Sequence, residues 1–474
     1  MAAPESSKQL IANSGIAFGT SGARGLVEQF SPEVCAAFAI NFAKLLQQQG
    51  SVTTLDIAID NRPSSYAMAQ ACAAGLAQLG MACQYHGVLP TPALAHFSMA
   101  QQRGCIMITG SHIPFDRNGI KFYRPDGEIS KADEAAIVQG DYPIQPLTAL
   151  PALSASDAAQ KAYCSRYLST FPANLLKGKT IGLYQHSAAG RDLYPALLEA
   201  LGATVIPLGR SDAFVPIDTE AVSADDRAQA KAWTRQHQLD ALFSTDGDGD
   251  RPLLADEQGH YFTGDVLGLL CSDYLGICQI AVPVSCTTAL EKSGRFAKVL
   301  RTRIGSPYVI AALGDLPAPC AGFEANGGYL LGSDCMGLAA LPTRDALLPA
   351  LACLALAGEK PLSTLRDALP KRFTASDRLQ QFAREQSDAL LARLQSQPAT
   401  LLHWLGSSKD DAEQQAGQLG IDTTDGLRIT LPNQDIVHLR PSGNAPELRC
   451  YAEAQSQEQA TKLMTITLKA IQQH

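Results

Sequence analysis

Three carboxylates separated by single glycines are the residues of this chain best suited to chemistry. Asp246, Asp248 and Asp250 stand in the run TDGDGDR, which Arg251 closes. Ionised carboxylates held this close repel one another, so a loop that brings them together needs a hard cation with oxygen ligands. The runs on both sides are apolar and strand-like, which favours a held loop over a solvated acidic turn. The pattern therefore predicts a divalent metal site, with an anion close to Arg251.

A calcium-hand loop is the alternative metal site that this spacing raises. Counting from Asp246 places Glu257 at the twelfth position, where a calcium hand has its bidentate glutamate. The sixth position of such a loop must be glycine for its sharp turn, and here it is Arg251. The preceding run LDALFS also looks like a strand where a calcium hand needs a helix. Both departures disfavour the calcium hand.

The second candidate for chemistry is a serine in the run ITGSHIPFDRNGIKFY. Ser111 stands between Gly110 and His112, directly after a predicted strand, where its hydroxyl can act as a nucleophile or phosphoryl carrier. A serine in this place is most often a turn or capping residue, so the prediction depends on the other candidate residues nearby, His112, Lys121 and the acidic loop. The sequence Gly-x-Ser-x-Gly is absent, which disfavours a hydrolase nucleophile elbow.

Two glycine-bearing runs carry residues that could bind an anion or a sugar. The run GTSGARG, residues 19–25, offers backbone amides and the guanidinium of Arg24, with a flexible turn as the alternative. The run GFEANGG offers Glu324 and Asn326, a carboxylate and an amide that suit paired sugar hydroxyls, with a simple hairpin as the alternative. The string GKT at 178–180 is no Walker loop, because Ala173 replaces its leading glycine.

A further glycine-bearing run lies near the C-terminus and reads RPSGNAPELR. Its hydrogen-bond donors stand between two arginines that match the bidentate geometry of phosphate, although a solvated turn is the alternative. The candidate phosphate-binding residues are Arg440, Ser442, Gly443, Asn444 and Arg449.

The elements that position these loops follow one rhythm, in which short strands alternate with helical patterns. This rhythm is typical of α/β domains, and ligands of open α/β sheets bind outside the carboxyl ends of the strands. Three such units are predicted around one cleft, followed by a smaller α+β domain. The predicted domains are 1–150, which carries the serine loop ITGSHIPFDRNGIKFY, and 151–258, which carries the metal loop TDGDGDR. They are followed by 259–373 with the sugar loop GFEANGG and by 374–474 with the phosphate loop RPSGNAPELR.

Composition supports a globular protein of several domains. The chain has 474 residues, of which 46% are hydrophobic and 18% charged, and its formal net charge is -8. This charge argues against a nucleic-acid or membrane-surface partner. The N-terminus lacks the features of a signal peptide, and the 12 cysteines form no Cys-x-x-Cys pair. We therefore expect a cytoplasmic protein with reduced thiols.

Taken together and in this order, the four loops resemble those of the α-D-phosphohexomutase superfamily, most closely its phosphomannomutase/phosphoglucomutase group. TGSHIP is similar to the phosphoserine loop of that family, TDGDGDR to its magnesium loop, GFEANGG to its sugar-binding loop and RPSGNAPELR to its phosphate-binding loop. The resemblance covers nearly the whole chain. It implies a four-domain phosphohexomutase-like architecture and the interconversion of hexose 1-phosphate and hexose 6-phosphate.

The resemblance also implies roles for individual residues. Ser111 would carry the phosphoryl group, and Mg²⁺ would be held by a phosphoserine oxygen together with Asp246, Asp248 and Asp250. The hydroxyl proton would be handled by Lys121 or His112, and Glu324 would bind the sugar hydroxyls. Hexose 1,6-bisphosphate would be the intermediate and the activator. The remaining catalytic or substrate-binding residues implied are Arg24, Arg251, Asn326, Arg440, Ser442, Gly443, Asn444 and Arg449.

The chain departs from the family pattern at four positions within these loops. Asn326 stands where serine is common, Asn444 where threonine is usual, and Ile113 where many members have asparagine. Gly328 stands where bacterial relatives often have histidine, which leaves that partner in proton transfer unassigned.

Substrate choice and reaction class leave alternatives open at this point. Mannose phosphates are favoured, because the loops are most similar to those of bacterial phosphomannomutases. A phosphoglucomutase or a dual-specificity mutase stays the alternative, because mannose and glucose differ only at C2. A sugar-phosphate sensor would need the phosphate-binding loop but not Ser111, Lys121 and three metal ligands together. A metal-dependent phosphatase using Ser111 would release free phosphate.

Overall fold

The computed structural model describes residues 4–19, 22–50, 52–442 and 446–473. Two compact units divide the chain: the first comprises Met1–Ile277 and Pro317–Leu365, and the second Cys278–Leu316 and Arg366–His474. The four predicted domain boundaries stay a prediction. Within the described residues, no helix combines the length and the apolar character that crossing a bilayer requires.

The first sheet of the first unit carries the serine loop at one end. Its strands follow the order β2-β3-β7-β6-β4-β5, with β8 paired to β7. Strands β4, β5 and β6 run parallel, whereas β7 is antiparallel to β6. The elements are β1 (Glu5–Ser6), α1 (Ser7–Ser14), β2 (Ala17–Phe18), β3 (Ala23–Leu26), a 3₁₀ turn (Val27–Gln29), α2 (Pro32–Gln49), β4 (Thr54–Ile59), α3 (Ser65–Gln78), β5 (Ala82–Val88), α4 (Thr91–Ala100), β6 (Gly104–Ile108), β7 (Arg117–Arg124), β8 (Gly127–Glu128), α5 (Lys131–Gln139) and β9 (Pro143–Ile144).

Helices α2 and α3 cover this sheet and approach each other closely. Helix α2 begins at a Ser31 cap that accepts a hydrogen bond from Val34 N, with proline in the first turn. A Cβ on Gly75 of α3 would lie 2.8 Å from Ala36 Cα, so glycine permits the close approach. Phe38 and Phe42 pack against Phe122 of β7, with ring centroids 6.3 and 5.0 Å apart. This packing fixes the strand that carries Lys121.

The second sheet carries the metal loop. Its order is β11-β10-β12-β13, in which β10 runs parallel to β11 and β12, and β13 returns antiparallel to β12. The elements are α6 (Ala158–Leu168), β10 (Thr180–Tyr184), α7 (Tyr194–Ala200), β11 (Thr204–Leu208), α8 (Ala224–His237), β12 (Ala241–Thr245), β13 (Pro252–Ala255) and α9 (Gly264–Tyr274).

The following segment supplies strands to each unit. In the second unit, β14 and β15 pair in parallel, and in the first unit β16, β17 and β18 form an antiparallel meander. The elements are β14 (Gln279–Pro283), α10 (Ala289–Lys292), β15 (Lys298–Thr302), α11 (Ser306–Leu313), β16 (Cys320–Phe323), β17 (Tyr329–Leu331), β18 (Leu341–Asp345), α12 (Leu347–Ala357) and α13 (Ser363–Asp367).

The C-terminal sheet is antiparallel throughout, in the order β19-β23-β22-β21-β20. Helix α17 packs against β19 and β23. The elements are β19 (Phe373–Gln380), α14 (Arg384–Ser396), α15 (Ala399–Trp404), α16 (Lys409–Ala416), β20 (Gly420–Asp422), β21 (Leu427–Thr430), β22 (Ile436–Pro441), β23 (Glu447–Ala454) and α17 (Gln457–Gln473). The predicted fold class, mixed α/β sheets followed by an α+β domain, is confirmed.

Candidate active site

The metal loop is the short connection between β12 and β13. Asp246 N donates to Arg251 O at 3.0 Å, which closes the loop, and Gly249 has a φ of 72°, which favours glycine. Asp246, Asp248 and Asp250 are fully buried, and one oxygen from each lies within 4.8 Å of the others. The predicted convergence of the three carboxylates is therefore observed.

The electrostatics of this cluster fit a bound cation. Among the described residues, Asp248 Oδ1 and Asp250 Oδ1 are buried and accept no hydrogen bond. Burial, reinforced by the carboxylates of Asp248 and Asp250, raises the pKa of Asp246 well above its usual range. Buried acceptor oxygens without donors are costly unless a cation meets them, and Mg²⁺ prefers such hard oxygen ligands. These three residues could therefore hold Mg²⁺.

The serine loop meets the metal loop directly. Ser111 follows β6, is fully buried and has a φ of 52°, a left-handed conformation that non-glycine residues seldom adopt. Its Oγ donates to Asp246 Oδ2 at 2.6 Å, and its backbone N donates to Thr109 Oγ1 at 2.8 Å. A Cβ on Gly247 would lie 2.7 Å from Ser111 O. The predicted carrier and the predicted metal ligands thus share one site.

His112 lies beside the carrier in a neutral form. Its Nδ1 is 3.3 Å from Ser111 Oγ and 3.0 Å from Arg251 Nη1. Because arginine only donates, Nδ1 must accept from Arg251 and carries no proton. Burial first, and then the charge of Arg251, lowers the pKa of His112 to about 3.

Lys121 joins the metal loop from strand β7. Its Nζ donates to Asp248 Oδ2 at 2.6 Å and to Asp250 Oδ2 at 2.8 Å. Thr91, the first residue of α4, donates its hydroxyl to the same Asp248 Oδ2 at 2.8 Å. Burial alone would raise the pKa of Asp248, but Lys121 and then Thr91 hold it below its usual range.

One residue that supports the serine loop was not predicted. The guanidinium of Arg62 lies 3.8 Å from the centroid of the Phe214 ring and 3.2 Å, by Nε, from Asp60 Oδ2. Sequence reasoning had one usable signal, since DNRPSS follows the carboxyl end of the parallel strand β4, where polar residues reach a ligand site. The guanidinium of Arg62 also donates to four backbone carbonyls of the serine loop, those of Ser111, Ile113, Pro114 and Arg117.

The sugar loop connects β16 to β17 in the same unit. Asn326 Nδ2 donates to Glu324 Oε2 at 3.3 Å, and both side chains are nearly buried. Arg344 of β18, also not predicted, lies 2.8 Å from Asp250 Oδ2 and 3.4 Å from Glu324 Oε2. The metal loop and the sugar loop are therefore linked through one guanidinium.

Arg24 completes a dense set of cations in this unit. Burial first, and then the charges of Arg251 and Arg344, lowers the pKa of Arg24 to about 10. Four cations, these three arginines and Lys121, thus stand close to the three aspartates and Glu324. Buried arginines that repel one another favour an anion between them, in line with the predicted anion site.

The phosphate loop lies in the second unit between β22 and β23. Arg440 and Arg449 stand directly opposite each other, and Arg378 of β19 lies opposite Arg449 on its other side. Like charges in register destabilise a sheet, so this row of arginines favours an anionic ligand. Asp425 Oδ2 accepts from Arg440 Nε at 2.8 Å. Ser442 N donates to Glu447 O, whereas Gly443 and Asn444 lie outside the described residues.

A buried serine against a carboxylate cluster, with arginines nearby, defines an enzyme site suited to phosphoryl transfer. Three models of one family match the chain: phosphoglucomutase/phosphomannomutase α/β/α domain I at residues 15–140, α/β/α domain III at 263–373 and the C-terminal domain at 374–469. The chain belongs to the phosphoglucomutase/phosphomannomutase family, a group of isomerases within the phosphohexomutase superfamily.

Individual relatives agree with the family models. A phosphomannomutase of Salmonella muenchen is 55% identical over 98% of this chain and 97% of its own length. A phosphomannomutase of Sinorhizobium fredii is 43% identical over 95% of this chain and 97% of its own. The crystal structure of a Burkholderia thailandensis phosphoglucomutase/phosphomannomutase family protein has 20% identity and a TM-score of 0.75, covering 96% of this chain and 97% of that one. This last likeness shows the fold.

Proposed function

We propose that this enzyme interconverts mannose 1-phosphate and mannose 6-phosphate by way of a phosphoserine at Ser111 and a hexose 1,6-bisphosphate. The observation that carries the proposal is the 2.6 Å hydrogen bond from Ser111 Oγ to Asp246 Oδ2, inside a cluster of buried carboxylates and cations. The sugar is chosen from the two similar phosphomannomutases. A mutase specific for glucose phosphates, or one that accepts both sugars, is the alternative.

In the proposed cycle, the phosphoryl group leaves Ser111 and bonds to the free hydroxyl oxygen of the sugar. The bond between Ser111 Oγ and phosphorus breaks, the hydroxyl loses its proton, and Ser111 Oγ gains one. The bisphosphate then turns over in the site, and its other phosphoryl group returns to Ser111. Hexose 1,6-bisphosphate is the proposed activator, because it recharges an enzyme that has lost its phosphoryl group.

Two residues are proposed to handle the hydroxyl proton. His112 lies 3.3 Å from Ser111 Oγ by its unprotonated Nδ1, and Lys121 is hydrogen bonded to two carboxylates of the same cluster. Both are close enough to the carrier loop for general acid or base catalysis. The four hydrogen bonds from the Arg62 guanidinium to backbone carbonyls of the serine loop form what we call the Arg62 clamp. We propose that this clamp keeps the backbone of Ser111 in its left-handed conformation while these protons move.

The balance of charges at the metal loop is the argument that it binds Mg²⁺. The four carboxylates already face four cations, and a phosphoserine would add about 1.5–2 negative charges at pH 7. Asp246, Asp248 and Asp250 would hold Mg²⁺ with a phosphoserine oxygen. When bound, the ion supplies the charge that offsets the transferring group.

The phosphate that does not react is proposed to bind the loop of the second unit. Arg440, Ser442 and Arg449 would supply charges and donors, and the other two predicted donors, Gly443 and Asn444, lie outside the described residues. The row of arginines across three strands supports this role. A sugar phosphate is thus the proposed partner, and the twelve free cysteines support the cytoplasm as the proposed compartment.

An assay with separate substrates tests the proposal. Mannose 1-phosphate and glucose 1-phosphate are each supplied with Mg²⁺ and a trace of the bisphosphate, and the 6-phosphate products and free phosphate are measured. We expect mannose 6-phosphate as the main product. A main product of glucose 6-phosphate would establish the alternative, and free phosphate in place of either would establish a phosphatase.

A further inference from the structure

Arg344 bridges two loops of the first unit. Its side chain is 2% exposed, which makes it one of the largest fully buried side chains of the described residues. Nη2 lies 2.8 Å from Asp250 Oδ2 on the metal loop, and Nη1 lies 3.4 Å from Glu324 Oε2 on the sugar loop. The guanidinium therefore sets the distance between the carboxylate that would hold a cation and the one that would bind the sugar.

Gly328 provides the space that Arg344 occupies. A Cβ built on Gly328 would lie 2.6 Å from Arg344 Cδ and 2.7 Å from its Cγ, well inside the closest approach of real side chains. The φ of Gly328 lies outside the left-handed region, so glycine is needed here for space and not for backbone freedom. A side chain at 328 and the observed position of Arg344 exclude each other.

Glu324 depends on this arrangement for its orientation. Both of its described side-chain contacts, from Arg344 Nη1 and from Asn326 Nδ2, are made to Oε2. Oε1 is thereby left to accept a hydrogen bond from a hydroxyl group. Without Arg344, the one hydrogen bond to this carboxylate that remains among the described contacts is the 3.3 Å bond from Asn326, on a loop whose next residues are two glycines.

We propose that Arg344 is a positioning residue that holds Glu324 for the hydroxyls of the hexose phosphate, and that Gly328 is required because a side chain there displaces Arg344. This inference rests on the proposed function, in which Glu324 binds the sugar. In this interpretation, the space beside Gly328 is filled by the side chain of Arg344, which extends from β18.

Binding measurements separate this role from an effect on the metal loop. The affinity of the dephosphorylated enzyme for mannose 6-phosphate is measured by calorimetry without Mg²⁺, and KM and kcat are measured with it. We expect Arg344→Met to weaken binding by about 10-fold or more, the usual effect of losing a hydrogen bond to a charged group. KM should rise more than kcat falls. Mg²⁺ should bind as well as before or better, because a positive charge beside Asp250 has been removed.

A double-mutant cycle tests whether Arg344 acts through Glu324. In a Glu324→Gln background, the added Arg344→Met change should weaken binding less than two-fold, because the carboxylate it orients is gone. Gly328→Ala should weaken binding in the wild type and have little further effect beside Arg344→Met. Gly417→Ala is the matched control, since Gly417 has a φ of -70° and open space around its Cβ position.

Three outcomes would overturn the inference: wild-type binding in both Arg344→Met and Gly328→Ala, additive losses in the Glu324→Gln background, or a loss confined to Mg²⁺ affinity. If Arg344→Met fails to fold, Gly328→Ala and its thermal melting curve decide, because that variant keeps the arginine. Failure of the proposed function is distinguishable, because the Ser111→Ala variant would then keep wild-type turnover.

Discussion

The metal loop and the phosphate loop differ in how deeply their charged side chains are buried. In the first unit, Asp246, Asp248 and Asp250 are fully buried, and each meets a charged or hydroxyl group of another element. In the second unit, the side chains of Arg440 and Asp425 are 19% and 18% exposed. Charge interactions are much stronger out of water, so the buried cluster is suited to transition-state stabilisation and the partly exposed side chains of the phosphate loop to reversible binding. Substitutions in the first region should therefore cost more than those in the second.

Loss of the carrier should have the largest effect. Ser111→Ala removes the atom that the phosphoryl group bonds to, and we expect mutase turnover to fall by about 10⁴-fold or more. Initial rates with both mannose phosphates measure it. Ser14→Ala, a change in the first helix of the same unit, is the control. If Ser111→Ala kept wild-type turnover, the buried cluster around Ser111 would not be the catalytic region, and the comparison with the phosphate loop would fail.

Loss of one metal-loop charge should have the next largest effect. Asp248→Asn leaves Lys121 with one carboxylate partner and removes one anionic ligand, so the rate should fall by about 10³-fold and Mg²⁺ affinity with it. Rates across a Mg²⁺ titration measure both, with Asp212→Asn as control, because the Asp212 side chain is 98% exposed. Full activity in a chelator, or calcium bound with Glu257, would contradict the account.

Loosening the serine loop should cost less than removing its chemistry. Arg62→Lys keeps a charge beside Asp60 but cannot reach four carbonyl oxygens at once. A displacement of Ser111 by about 1 Å would lower kcat by about 100-fold while KM changes little. Arg103→Ala is a matched control, because Arg103 lies at the opposite end of β6 and is 3.7 Å from the buried Asp56. An Arg62→Lys enzyme with a raised KM and normal kcat would show that the clamp serves binding.

The smallest effect is expected in the phosphate loop, whose described arginines are partly exposed. Arg449→Ala should lower kcat/KM by about 10-fold, because at a partly exposed site the loss lies at the low end of the about 1.5–3 kcal/mol of a charge-assisted hydrogen bond. The loss should appear in kcat/KM from both mannose 1-phosphate and mannose 6-phosphate, because the same loop binds the non-reacting phosphate of each. Arg384→Ala, an exposed arginine paired with Asp388, is the control. A loss in one direction only would refute a shared phosphate site, and a lowered melting temperature would indicate a structural role.

The sequence predicted the parts of the site that are local in the chain. Asp246, Ser111 and Glu324 each stand in a glycine-bearing run directly after a strand, so their types and spacing carry the information. The alternation of strands and helices likewise predicted the mixed α/β fold. Arg62 and Arg344 were missed, because each is a single arginine whose contacts with the site loops are made to residues distant in the chain. Arg62 reaches Ser111 across 49 positions, because the strands that precede them, β4 and β6, pair in parallel within one sheet.

The most direct test of the account is the location of the phosphoryl group. Enzyme treated with labelled hexose 1,6-bisphosphate is digested and its phosphopeptides are mapped, and a second sample is first chased with unlabelled mannose 6-phosphate. The account predicts label on Ser111 alone, and its transfer to the sugar at a rate no slower than turnover. Label on another residue, or label on Ser111 that the sugar cannot remove, would contradict it.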